Sequence, residues 1–249
     1  MRVNNIRLIR YFLLLLVLVF PLLAAAGSYS INPVKLELSY QGETKIITVR
    51  NQAEHSAIMQ VDVVSWQQQS GQDIYKTSRD LLASPPLFAI EPGASQVIRI
   101  GQRNTVASGN EKAYRLFIQE VPSAVTEDNA GLQMALRISV PVWLLNDALK
   151  EMQPDLQWQA ERRDKHTLVL SVKNNGQRHA HLSKLTVVSP DNTNANVLYS
   201  QKLFVYVLAG TTHSWTVETD RPIRDHMQLN IQANTNVGEW HTDIMLMAP

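Results

Sequence analysis

Apolar residues in this chain recur at every second position, segment after segment, and rarely at helical spacing. Alternation of that kind puts one row of side chains on one face of a sheet and the intervening row on the other. The segments KLELSY, TKIITVRN, SAIMQVDVVSWQQ, SQVIRIGQ and AYRLFIQEVP are bounded by the turn signals QGE, SGQD, EPGAS and VASGNE. A second set, from HTLVLSVKNNG to HTDIMLM, follows a polar stretch, Leu144–Lys165, that carries Pro154. Only TSRDLLASPP hints at a helical turn, stopped by Pro85 and Pro86. The reading is an all-β chain of two sandwich domains, residues 27–147 and 148–249, with a cleft at the hinge between them.

One segment is unlike the rest. LQMALRISVPVWLL, Leu132–Leu145, alternates over more than twice the usual strand length of about 5–6 residues. Leu132, Met134, Leu136, Ile138, Val140 and Val142 point one way, and Gln133, Ala135, Arg137, Ser139 and Pro141 the other. Proline gives no donor to a ladder, so Pro141 places part of this strand at a sheet edge. A long apolar edge is an aggregation hazard unless something covers it.

The first 26 residues read as an export leader. Arg2, Arg7 and Arg10 precede a short apolar run, Tyr11–Leu23, and Ala24–Ala26 satisfy the small-residue cleavage rule before Gly27. Cleavage would leave 223 residues carrying 20 Lys and Arg against 22 Asp and Glu, a balance with no basic face for nucleic acid or anionic lipid. No later run approaches a membrane span. There is no cysteine, so core burial rather than disulfides must stabilise the domains.

Catalytic signatures are missing: no G-x-S-x-G elbow, P-loop, dinucleotide fingerprint or H-E-x-x-H helix. His179 and His181 share a strand face in RHAHLS, but no third metal ligand stands nearby, so a surface or turn role is expected. Trp66, Trp143, Trp158, Trp215 and Trp240 are widely spread and are expected to pack in the core or at its rim. The chain reads as a binding protein without a metal or cofactor, not as an enzyme.

Several blocks together carry a family resemblance. LLASPPLFAIEPGASQVIRI (Leu81–Ile100), EKAYRLFIQEVP (Glu111–Pro122), LQMALRISVPV (Leu132–Val142), VKNNGQRHAHLSKL (Val172–Leu185) and LFVYVLAGTTHSW (Leu203–Trp215) resemble, in order, the periplasmic pilus-assembly chaperones of the PapD-like family. RISVPV and YVLAG look like the archaic branch of the chaperone–usher systems. The resemblance implies two immunoglobulin-like sandwiches set in an L. It implies donation of the long strand, here Leu132, Met134, Leu136, Ile138 and Val140, to a pilus subunit lacking its last strand, followed by delivery to an outer-membrane usher. An unloaded molecule has a second copy of itself as another cover for the edge. For Val140 and Val142 a place in the chain's own core weighs as heavily as a donor role.

The resemblance also implies a cationic anchor for the subunit's C-terminal carboxylate. The better-studied branch uses an arginine on the first strand, where Lys35 stands here, and a lysine late on the donor strand, where Pro141 stands. Arg115 and Arg137 are the replacements expected, with Lys35 as the third candidate. The family's interdomain triad has an acid at Glu111, but Leu145 occupies its arginine position, so the domain angle must be held by other groups. The rival readings are a structural pilus component or exported adhesin, which would itself be found in fibres, and an exported hydrolase, which the absent motifs disfavour.

Overall fold

The computed structural model describes residues 29–103, 109–122, 135–191 and 194–246. The expected leader, Leu132 and Met134 lie outside the described residues. In the N-terminal half the strands are β1 (Tyr29–Asn32), β2 (Leu36–Ser39), β3 (Thr44–Asn51), β4 (Ala57–Gln69), β5 (Gln72–Thr77), β6 (Leu81–Ser84), β7 (Leu87–Ile90), β8 (Ser95–Gln102), β9 (Lys112–Glu120) and β10 (Arg137–Leu145). They form one sheet in the order β1-β3-β8-β6 and another in the order β2-β10-β9-β4-β5, with β7 also paired to β4. The two sheets close on a core that takes every second residue, as in Ile47 and Val49 of β3, Ile98 and Ile100 of β8, and Leu116 and Ile118 of β9.

The stretch Leu81–Ser84, where a helical turn was conceivable, is strand β6. Leu81 and Ala83 face inward while Leu82 and Ser84 are exposed, so alternation prevails over the pattern suggested by the neighbouring prolines.

One helical turn, α1 (Asp147–Lys150), joins the halves. Asn146 caps it, its side-chain oxygen accepting from the Leu149 amide at 2.9 Å, and Leu149 is buried. The C-terminal half contains β11 (Leu156–Arg162), β12 (Thr167–Asn174), β13 (Ala180–Asp191), β14 (Asn194–Val207), β15 (Thr212–Glu218), β16 (Gln228–Thr235) and β17 (Gly238–Met245). Its sheets run β11-β12-β15 and β14-β13-β16-β17 around a second core. Trp158 and Trp215 stack at 6.0 Å on the first of these sheets.

Each domain hides one asparagine, and each is satisfied by the backbone. Asn51 donates to the His55 and Ile90 carbonyls and accepts from the Ala53 amide. Asn174 donates to Arg178 and Val207 carbonyls and accepts from the amides of Asp155 and Gly176. The NNG turn that follows needs its glycine, because a Cβ on Gly176 would lie 2.6 Å from the Asp155 nitrogen.

Candidate subunit-binding cleft

β10 belongs to two neighbours unequally. It pairs with β9 along Arg137–Leu144, but with β2 only along Val142–Leu145. From Arg137 to Ser139 its second edge is unpaired among the described residues. The ladder's parity identifies which backbone groups are free. The Glu120 amide donates to the Leu136 carbonyl at 2.9 Å, which makes even-numbered residues of β10 the hydrogen-bonded partners of β9. The N–H and C=O groups of Arg137 and Ser139 therefore aim at the open edge, while the carbonyl of Pro141 faces the start of β2, where the Val142–Leu36 pairing begins. Pro141 occurs where its missing N–H costs the β9 ladder nothing.

The side chains divide as alternation requires. Val140, Val142 and Leu144 lie in the N-terminal core, Ile138 packs partly against it, and Leu136 is 41% exposed. Val140, expected among the donor residues, is only 2% exposed within its own sandwich, so its side chain cannot also fill a subunit's groove. On the other face, Trp143 and Leu145 join Trp66, Leu149 and Leu208 in a separate cluster at the domain junction.

That junction carries a run of rings. Trp66 lies 5.4 Å from Trp143 and 5.3 Å from Tyr206. His179 stacks flat on Trp143 at 3.6 Å, His181 stacks on Tyr206 at 4.5 Å, and Phe204 meets His181 edge-on at 4.6 Å. His179, expected at the surface or in a turn, is instead buried at 5% exposure, because Glu111 from the other domain reaches it. Glu111 Oε1 accepts from the His179 amide at 3.0 Å and lies 2.7 Å from His179 Nδ1. Arg178 Nε stands 3.5 Å from Glu111 Oε2, its Nη1 donates to the Lys150 carbonyl at 2.6 Å, and Nη2 lies 3.7 Å from Glu37. The arginine missing at Leu145 is thus replaced from the opposite domain, by Arg178 with His179.

Gln68, near the end of β4, makes a second tie. Its Nε2 donates to the Tyr206 carbonyl at 2.8 Å, and its Oε1 accepts from the Leu208 amide and the Thr211 hydroxyl. Glu111→Gln is expected to destabilise the protein by about 1–2 kcal/mol, the loss of charge-assisted bonds to two partners. A melting temperature lower by about 3–6 °C, with both domains still folded by circular dichroism, checks this.

Arg115 and Arg137 sit on one face of the sheet, the face away from the N-terminal core. Arg115 is opposite Pro141 in the ladder, four positions from Arg137, so the two Cα positions lie roughly 14 Å apart along the strands. The Arg115 guanidinium lies 3.8 Å over the Trp66 ring and 5.2 Å from that of Tyr206. It is 8% exposed, and its Nε has no hydrogen-bond partner. Arg137 lies 3.7 Å over Phe117 and is exposed. Lys35 is exposed and stands 3.7 Å from Glu37.

Charge and burial both mark the floor of the cleft. Burial holds the His181 imidazole below its ordinary range, with the neighbouring charges of His179 and Lys35 acting in the same direction. Burial raises the Tyr206 hydroxyl, opposed by Arg115. Burial, and then the charge of Asp73, raises Tyr75, whose hydroxyl donates to Asp73 at 3.0 Å. Among the described residues no three metal-ligating side chains come together, and no helix is long and apolar enough to cross a membrane. A groove of about 630 Å³ opens at the domain junction, lined by Trp66, Gln68, Glu111 and Tyr114 from the N-terminal domain and by Leu208 and Thr211 from the C-terminal one, and none of Lys35, Arg115 and Arg137 lines it.

The chain is thus a two-domain protein of immunoglobulin-like sandwiches, with a strand edge left open from Arg137 to Ser139 and a buried cation, Arg115, on the neighbouring strand. Residues 28–149 match the profile of the pili and flagellar-assembly chaperone family, PapD N-terminal domain. The chain belongs to that PapD-like family. Its fold is similar to the chaperone–tip adhesion subunit pre-assembly complex CsuC–CsuE from the archaic chaperone–usher Csu pili of Acinetobacter baumannii. That match has a TM-score of 0.64 and 21% identity over 90% of this chain and all of the other. It is also similar to the E. coli chaperone DraB, with TM-score 0.55, 16% identity and coverage of 88% and 97%. The Pseudomonas aeruginosa chaperone CupB2 gives TM-score 0.55, 13% identity and coverage of 87% and 100%. No curated protein matches the chain by sequence.

Proposed function

We propose that this protein is a periplasmic chaperone of pilus subunits in a chaperone–usher pathway, and that it works by lending the open edge of β10 to a subunit that lacks its last strand. The observation that carries this is the half-paired strand: Arg137 to Ser139 have β9 on one side and an open edge on the other, next to a buried guanidinium. Backbone pairing at Arg137 and Ser139 supplies affinity that tolerates sequence variation, and Leu136 and Ile138, continued by Leu132 and Met134, supply side chains for the subunit's groove. Arg115 is the anchor for the subunit's terminal carboxylate, since a charge at 8% exposure calls for an ionic partner. Lys35 lies close enough for its charge to act on His181, while Arg137 lies farther along the strand and suits a second contact on the subunit. The loaded complex then passes to an outer-membrane usher, and an unloaded molecule pairs edge to edge with a second copy.

Native mass spectrometry of protein purified from the periplasm with its neighbouring genes co-expressed tests the reading. A 1:1 complex with a pilin-sized partner, lost on Leu136→Asp, supports it. Recovery of the chain within purified fibres would favour a structural component.

A further inference from the structure

We propose that the ring shelf formed by His181, Phe204 and Tyr206 reads the last side chain of the bound subunit, and that this side chain is aromatic. The inference rests on the proposed function, and in particular on Arg115 as the carboxylate anchor.

β14 is the edge strand of its sheet, and Phe204 and Tyr206, two residues apart on it, present their rings on one face. Phe204 is 75% exposed, with its ring against His181 at 4.6 Å and Tyr206 at 5.7 Å. A single exposed phenylalanine is ordinary. This one ends a continuous path that starts at a buried cation: Arg115 lies 5.2 Å from Tyr206, which stacks on His181, which touches Phe204. A carboxylate held at Arg115 thus leaves the side chain of its own residue over Tyr206 and His181, with Phe204 as the outer wall.

The charges suit a terminal residue with a free carboxylate. Arg115 borders the shelf, Lys35 lies close enough for its charge to act on His181, and the nearby acid Glu37 is already shared by Lys35 and Arg178 at 3.7 Å each. Burial lowers the His181 pKa and so disfavours its cationic form, and its ring is already stacked on Tyr206 at 4.5 Å and met edge-on by Phe204 at 4.6 Å. Offset and edge-to-face ring contacts are the favoured geometry for an aromatic group, and they are unavailable to a small side chain.

The test uses fluorescein-labelled, short alternating threonine–valine peptides ending in phenylalanine or alanine, each as the free acid and as the amide, with binding followed by polarisation. The phenylalanine acid is expected to bind about tenfold more tightly than the alanine acid. Phe204→Ala, whose side chain is mostly exposed, is expected to keep the wild-type melting curve and to bring that ratio close to one, and Phe204→Tyr to restore it. Equal binding of the two acids, both well above the amides, overturns the shelf and leaves the anchor standing. Acids and amides that bind alike, or four peptides that all fail to bind, overturn the anchor and the shelf together.

Discussion

Arg115→Leu is expected to leave the melting temperature unchanged or raise it, and to reduce affinity for the subunit in the 1:1 complex a few hundredfold. The two effects have separate origins. In the free protein the guanidinium is almost fully buried, stacked on Trp66 and without a partner at Nε. The stacking is worth about 1–2 kcal/mol, while holding a charge out of water costs several kcal/mol. A leucine keeps the packing volume of the stem and removes that cost. In the complex, by contrast, losing one member of a buried charge pair costs about 2–5 kcal/mol, and the midpoint of that range corresponds to a few hundredfold. Thermal denaturation and native mass spectrometry on the same preparation read both numbers. A melting temperature lower by ten degrees or so with the complex retained would make Arg115 a structural residue.

The second large effect comes from backbone parity on β10. Ser139→Pro removes an N–H that faces the open edge and puts a ring where the subunit's strand must lie. Pro141 already occupies the equivalent ladder position two residues later, so β9 is untouched. Losing one backbone bond and crowding its neighbours is worth about 2 kcal/mol, a fall in subunit affinity of roughly thirtyfold with the fold preserved. Ile138→Pro, one residue away, removes an N–H that β9 uses. It is expected to lower the melting temperature instead. A reversed pattern, with Ser139→Pro unfolding the domain and Ile138→Pro harmless, would mean that the strand's free and paired groups are assigned the wrong way round.

Much of this was legible in the residues. Period-two alternation placed Arg137 and Pro141 opposite Val140 and Val142, and Pro141 marked the edge, because both follow from local backbone geometry. Alternation also shows which residues share a face, but not where one sandwich's core ends and a partner's groove begins. Val140 and Leu136 look alike in sequence, and only the position of the strand within the sheet separates a 2% exposed residue from a 41% exposed one.

The domain tie lay beyond local reading for a different reason. Glu111 finds His179 across 68 residues and a domain boundary. Nothing in RHAHLS distinguishes a surface histidine from one stacked on Trp143. Four ring-bearing strands, β4, β10, β13 and β14, meet at the cleft, and their rings are far apart along the chain. One clue was available. A missing arginine at Leu145 beside a retained acid at Glu111 implied a substitute cation, and the basic residues after NNG were the place to look.

Amide exchange at Arg137 and Ser139, measured in the free protein and in the co-purified subunit complex, tests the strand-donation account most directly. Both N–H groups face an open edge in the free chain, so they are expected to exchange rapidly there and to become slow by orders of magnitude in the complex, while Ile138 and Val140 change far less. Arg137 and Ser139 amides that stay rapidly exchanging in a stable 1:1 complex would show that the subunit is held by some other surface, and strand donation by β10 would be wrong.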